Sequence, residues 1–188
     1  MKTYEAIVIG ASAGGTKALS SILAGLPPTF PLPIIIVLHR YYDEDSLLID
    51  QFRKTSKMKV LETADKDKIT KGCIYFAPSD YHVLIEEDKT FALSYDPTVN
   101  YARPSVDLLF DSASFVYEDN LIAIVLTGAN MDGANGLANV KKQGGLSIVQ
   151  DPRSAENKVM PNCAIELVKP DHIFNLDEIR SFLSNLKL

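Results

Sequence analysis

Along the chain, apolar β-branched runs alternate with segments whose apolar residues recur at helical spacing. That is the pattern of an α/β protein on a doubly wound, mostly parallel sheet flanked by helices. Residues 4–9 read as a first strand and 15–24 as the helix behind it, with Ala18, Leu19, Ile22 and Leu23 on one face. Gly25-Leu26-Pro27-Pro28 stops that helix, because proline cannot continue it. Within 33–38, the unbroken run Ile34-Ile35-Ile36-Val37 suits a central strand covered on both faces. Residues 43–53 read as a helix whose acidic start, Asp43-Glu44-Asp45, suits a helix N-terminus rather than a metal site.

The period changes between residues 57 and 95. Cys73-Ile74-Tyr75-Phe76, His82-Val83-Leu84-Ile85 and Thr90-Phe91-Ala92-Leu93 are short runs separated by turn-rich or charged segments. They predict a small insertion of short antiparallel strands in the larger sheet. A helix is expected over 105–117, after Arg103-Pro104, then a buried strand over 121–126 and a helix to about residue 142. Gly144-Gly145 leads into a last parallel strand over 146–150, and helices over 160–168 and 176–186 close the molecule. With no internal repeat, linker or low-complexity stretch, residues 1–188 are expected to form a single domain.

Composition narrows the partners. A net charge of −5 and a pI near 5.2 argue against nucleic acid, which needs a basic patch. No apolar stretch reaches about 18 residues, so no membrane insertion is expected. The N-terminus runs straight into a strand pattern without a signal-peptide core, which points to the cytoplasm. Cys73 and Cys163 are far apart and lack metal-ligand neighbours; buried reduced thiols suit that compartment, with a disulfide between them as the alternative.

Candidate chemistry lies where strands end. A parallel doubly wound sheet brings its strand carboxyl ends to one edge, so residues distant in sequence meet there. Ser12 follows the first strand within Gly10-Ala11-Ser12-Ala13-Gly14-Gly15, His39 follows the second, and Asp132 lies beyond the 121–126 strand. A serine, a histidine and an aspartate at one edge are the parts of an acyl-transfer triad. Each also has a plainer role: Ser12 as a cap of the helix after it, His39 as a partly buried ring with a backbone partner, Asp132 as a helix N-cap. Nucleotide binding competes for the first loop. There, Ser12 replaces the middle glycine of a dinucleotide fingerprint, and the second strand ends in His39 rather than an acid, although Arg40 could meet a 2′-phosphate. Gly15-Thr16-Lys17 has its lysine after threonine, so the P-loop motif fails.

The residues resemble the protein-glutamate methylesterases of bacterial chemotaxis, the CheB family. The resemblance runs from Ile9-Gly10-Ala11-Ser12-Ala13-Gly14-Gly15 through His39 and Ile74-Tyr75-Phe76-Ala77-Pro78-Ser79-Asp80-Tyr81-His82. It continues in Arg103-Pro104-Ser105-Val106-Asp107-Leu108-Leu109-Phe110, in Val125-Leu126-Thr127-Gly128-Ala129-Asn130-Met131-Asp132-Gly133, and in Met160-Pro161. It implies Ser12 as nucleophile, His39 as general base and acid, and Asp132 as the carboxylate that orients His39. Backbone N–H groups of Ala129 and Ala13 would face the oxyanion. The implied reaction is hydrolysis of γ-glutamyl methyl esters on chemoreceptor cytoplasmic helices, with deamidation of receptor glutamines and no cofactor or metal. Arg103 is expected near the cleft, to bind acidic receptor side chains or form a structural ion pair. Tyr41 and Tyr42 line the cleft or merely pack; His82 and His172 are expected to be structural or exposed. Two departures stand out: Ala13 replaces the threonine often found after the nucleophile, and no receiver segment precedes the first strand. Control would then fall to a separate receiver protein, to expression, or to nothing. The alternative from another class is an adaptor or nucleotide-binding module on the same fold.

Overall fold

The computed structural model describes residues 3–39 and 45–186, leaving aside the side chains of residues 45 and 46. Among the described residues seven strands form one parallel sheet: β1 Ala6–Ala11, β2 Ile34–Leu38, β3 Lys59–Glu62, β4 Cys73–Phe76, β7 Leu121–Val125, β8 Leu146–Gln150 and β9 His172–Phe174. The remaining pair, β5 His82–Ile85 and β6 Phe91–Ser94, makes a separate antiparallel hairpin. Six α-helices among the described residues flank the sheet: α1 Gly15–Leu23, α2 Asp45–Thr55, α3 Val106–Tyr117, α4 Ala134–Lys142, α5 Val159–Val168 and α6 Leu176–Ser184.

Period-two alternation sorts the strand side chains between two cores. On β1, Ala6 and Val8 join the core under α3, α4 and α5, while Ile7, Ile9 and Ala11 join the core under α1, α2 and α6. All six β1 residues are buried, which is why the strand reads as a continuous apolar run. The sheet order is β3-β4-β2-β1-β7-β8-β9. From β1 the chain winds one way to β2 and later the other way through β7, so the strand order reverses between β1 and β7. In open α/β sheets that reversal opens a crevice at the strand carboxyl ends, where ligands bind.

One expectation is corrected in detail. The antiparallel insertion exists, but it is the β5–β6 hairpin alone. Cys73–Phe76 pairs in parallel with β2, Ile34 opposite Ile74, and with β3, Val60 opposite Ile74. All four β4 residues are buried, as a strand covered on both faces requires. β6 by contrast buries only its first residue, Phe91, the one-sided exposure typical of a hairpin. The short edge strand β9 was not anticipated. It carries one His and two apolar residues and none is fully buried, so no periodic signal marks it.

Candidate active site

The sheet ladder extends into the site and fixes the backbone of its residues. Ser12 N–H donates to the Thr127 carbonyl at 3.0 Å, and His39 N–H donates to the Ala11 carbonyl at 3.0 Å. The segments carrying Ser12, His39 and Thr127 therefore sit side by side at one edge. Beyond Ser12 the chain turns sharply: Gly15 N–H donates back to the Ser12 carbonyl at 2.7 Å, and Gly14 has φ 79°. Gly14, not Ser12, is the N-cap of α1, so the capping role expected as an alternative for Ser12 is not the one it plays. Among the described residues the Ser12 hydroxyl has no hydrogen-bond partner, and its side chain opens into a cleft. That cleft, of about 190 Å³, is lined by Ser12, His39, Tyr101, Ala102, Arg103 and Asn130.

Two contacts set where Ser12 stands. Thr127 Oγ1 donates to the Ala13 carbonyl at 2.8 Å and accepts from Asn157 N–H at 2.9 Å, pinning the loop from below. Gly128 lies against the serine itself: a Cβ there would come within 2.9 Å of Ser12 Cβ and 2.4 Å of Met160 Sδ. Only a residue without a side chain permits that approach.

Asp132 is fully buried and accepts from five donors. His39 Nε2 lies 2.9 Å from Oδ2, Val106 N–H 2.6 Å from the same oxygen, and Ser105 Oγ 2.9 Å from Oδ1. Asp107 N–H at 3.1 Å and Asn100 Nδ2 at 3.4 Å complete the set on Oδ1. The expected N-cap of α4 is instead Gly133, with φ 94°, and Asp132 caps a different helix, α3, in the space beside it. Asp107, in the first turn of α3, returns the favour: its Oδ1 accepts from Gly136 N–H in α4 at 2.7 Å. The two carboxylates thus cap each other's helices, each placed at the positive end of a dipole.

Their titration differs accordingly. Burial pushes the Asp132 carboxyl upward, but bonds from His39, Val106 and Asp107 outweigh it and hold the group below the usual carboxylate range. Asp107 goes the other way: burial raises it, the Gly136 bond opposes, and the neighbouring Asp132 charge raises it further.

An ionised Asp132 makes His39 Nε2 the protonated nitrogen, leaving Nδ1 as the lone-pair atom of the neutral ring. Asn130 Nδ2 lies 3.3 Å from Nδ1, and its Oδ1 accepts from Asp132 N–H at 3.2 Å, which orients the amide. His39 thus lines the same cleft as Ser12, with Nε2 anchored to Asp132 and Nδ1 against the Asn130 amide. Ala13 and Ala129 are exposed and their amides have no acceptor among the described residues, so both are free to meet a developing negative charge. No group of three or more His, Cys, Asp or Glu side chains among the described residues is arranged to hold a metal ion.

Arg103 lines the cleft, donates to the Tyr95 and Asp96 carbonyls at 3.3 and 3.1 Å, and lies 3.9 Å from Asp80. Its Nε is buried without a partner. His82 is buried and structural: its Nδ1 accepts from Ser105 N–H at 3.1 Å and its Nε2 donates to the Pro97 carbonyl at 3.1 Å. His172 stacks on Phe174 with ring centres 4.6 Å apart. Cys73 and Cys163 are free thiols. Arg40, Tyr41, Tyr42, Asp43 and Glu44 lie outside the described residues. Sequence reading missed Asn100, Ser105, Asp107 and Asn130 as members of the network. Their signal was there in Asn-x-x-Arg-Pro-Ser-x-Asp and Asn-x-Asp, short polar residues set against strand ends, but nothing in the sequence says which carboxylate they meet.

The family model for CheB methylesterase matches residues 7–183. A Leptospira interrogans protein, provisionally named protein-glutamate methylesterase/protein-glutamine glutaminase, is 48% identical over 183 residues, covering 97% of this chain and 95% of that protein. The protein-glutamate methylesterase/protein-glutamine glutaminase of Clostridium acetobutylicum is 33% identical over 177 residues; they cover 94% of this chain and 51% of that protein. The crystal structure of the Thermotoga maritima CheB methylesterase catalytic domain superposes with a TM-score of 0.93 at 32% identity, covering 98% of this chain and all of that one.

Proposed function

The chain belongs to the CheB methylesterase family, and we propose that it hydrolyses γ-glutamyl methyl esters on chemoreceptor proteins, releasing methanol and restoring glutamate. The observation that carries the reading is the His39 ring, anchored through Nε2 to buried Asp132 and lining the same cleft as Ser12. In the proposed reaction Ser12 Oγ attacks the ester carbonyl while His39 Nδ1 takes its proton. Asp132 stabilises the imidazolium through the Nε2–H bond. The amides of Ala129 and Ala13 face the oxyanion. Collapse of the tetrahedral intermediate breaks the bond to methoxide, which leaves as methanol with the proton from His39. Water, losing its proton to the same nitrogen, then attacks the acyl-enzyme; the bond to Ser12 Oγ breaks, His39 returns the proton to that oxygen, and the glutamate is freed. A glutamine amide follows the same course with ammonia as leaving group.

Arg103, which lines the cleft, is our candidate contact for acidic side chains around the ester. Family membership favours this hydrolase over a binding module on the same fold. No helix among the described residues is long and apolar enough to cross a membrane, so the substrate's own soluble segments are the proposed meeting place. The test is methanol release from a methylated receptor fragment by the wild-type chain and by Ser12→Ala. Loss of about 10⁴-fold or more is expected for the variant, as for nucleophiles of comparable units. Undiminished release would remove Ser12 from its role.

A further inference from the structure

The turn beside the cleft adopts a conformation its sequence does not favour. Val99 and Ala102 exchange both backbone hydrogen bonds, at 3.0 and 2.8 Å, closing a two-residue loop. Asn100 has φ 50° and Tyr101 φ 62°. Two successive positive φ angles define a type I′ turn, whose preferred pair is asparagine followed by glycine. Asn100 suits its place. Tyr101 occupies the glycine place, where a bulky L side chain is strained.

The turn is held by its own backbone bonds and by Asn100, and among the described residues no contact of the Tyr101 side chain offsets that strain. The Tyr101 side chain is fully exposed and has no partner among the described residues. The turn itself is firmly placed, because Asn100 Nδ2 reaches Asp107 Oδ2 at 2.9 Å and Asp132 Oδ1 at 3.4 Å. The strained tyrosine is therefore carried on the same network that orients His39, and it lines the cleft with Ser12. Backbone strain that persists at a site rim without an internal partner points outward, to a ligand.

The size of the cleft says what kind. About 190 Å³ is below the roughly 300 Å³ at which small-molecule pockets begin. It admits the end of one side chain and leaves the polypeptide that bears it outside, on the rim. There the surface continues as aromatic: the Arg103 guanidinium sits 3.8 Å over the Tyr95 ring, and Tyr95 lies 5.6 Å from Tyr81. Tyrosine suits such a contact, giving a large amphipathic area at the cost of few rotatable bonds.

We propose that Tyr101 is a specificity-determining residue, packing on the polypeptide around an esterified glutamyl side chain and favouring protein-borne esters over small ones. The assignment rests on the ester-hydrolase reading above. The experiment is steady-state methanol release by the wild-type chain, Tyr101→Gly and Tyr101→Phe, from a methylated receptor fragment and from N-acetylglutamate γ-methyl ester. Tyr101→Gly is expected to raise KM for the receptor fragment about ten-fold with kcat little changed, the scale of a lost aromatic contact. The preference for receptor over small ester, as a ratio of kcat/KM, falls by the same factor. Tyr101→Phe restores most of it. The melting temperature of Tyr101→Gly stays level or rises, since glycine accepts the turn. An unchanged preference, or losses on both substrates in step with a lower melting temperature, overturns the assignment alone. A wild-type chain that releases no methanol from either substrate overturns the ester reading, and this inference with it.

Discussion

The Ser12 and Asp132 loops follow neighbouring strands, β1 and β7, and use the same backbone device. Each ends in a left-handed glycine that caps the next helix without a side-chain bond, Gly14 at φ 79° and Gly133 at φ 94°. Their functional side chains are treated in opposite ways. Asp132 is buried and held by five donors, whereas the Ser12 hydroxyl has none among the described residues. In the proposed reaction Ser12 must move onto a carbonyl and change its protonation, whereas Asp132 must do neither. The fold spends its hydrogen bonds on the group that has to stay still.

That contrast is broken most sharply by truncating each side chain in turn. Asp132→Ala should lower methanol release by about 10⁴-fold, as does loss of the orienting acid in other triads. It should also cost about 3–5 kcal/mol of stability, because the α3 amides and Ser105 are left buried without an acceptor. Ser12→Ala should match it in activity yet stay within about 0.5 kcal/mol of the wild type in denaturant unfolding. Equal stability losses in the two variants would erase the distinction. Asp132→Asn, which keeps an oxygen for the helix amides, should recover part of the stability and little of the activity.

A smaller effect is expected where the two loops touch. Gly128→Ala puts a Cβ 2.4 Å from Met160 Sδ and 2.9 Å from Ser12 Cβ, so Met160 or the serine must shift. A displacement of about 1 Å at Ser12, the proposed nucleophile, is enough to cost about 10²-fold in kcat, with about 1–3 kcal/mol of overpacking. If activity held while stability fell, Met160 would be the residue that yields, and the Ser12 position would be less tightly set than its contacts suggest.

How much of this was legible in the sequence follows from the same contrast. Ser12, His39 and the Ile34–Val37 strand announced themselves because strand ends and continuous apolar runs are local signals. The run Cys73–Phe76 was legible as a strand but not as a parallel one, since pairing partner and direction depend on residues 40 positions away. Asp132 was legible as a carboxylate at a strand end beside His39 and as a polar residue beside a helix start, and for capping the nearest helix was the wrong one. Its partners Asn100, Ser105 and Asp107 come from a separate segment that only the sheet topology brings across. Tyr101 was invisible for a different reason: nothing in its neighbours states that the chain there turns through positive φ.

The mildest test separates the two carboxylates by pH. Asp132 is held below its ordinary range, so its contribution is present above the unfolded carboxyl value and lost as pH falls through the lower folded one. Asp107 is raised, so it binds its proton more tightly in the folded chain. Its contribution is full below the unfolded value and drains away as pH climbs through the folded one. Across the mildly acidic range above about pH 4, the Asp107 effect therefore opposes any gain of stability with pH. Asp107→Asn keeps an acceptor for Gly136 N–H and removes the titration. Its melting temperature should rise more steeply with pH over that range than the wild type's. It should also lie within a few degrees of the wild type at neutral pH, where the lost charge no longer repels Asp132 but the Gly136 bond is weaker. Parallel profiles would mean that Asp107 titrates alike in the folded and unfolded chain, and that its burial between α3 and α4 is fully compensated by the amides it caps.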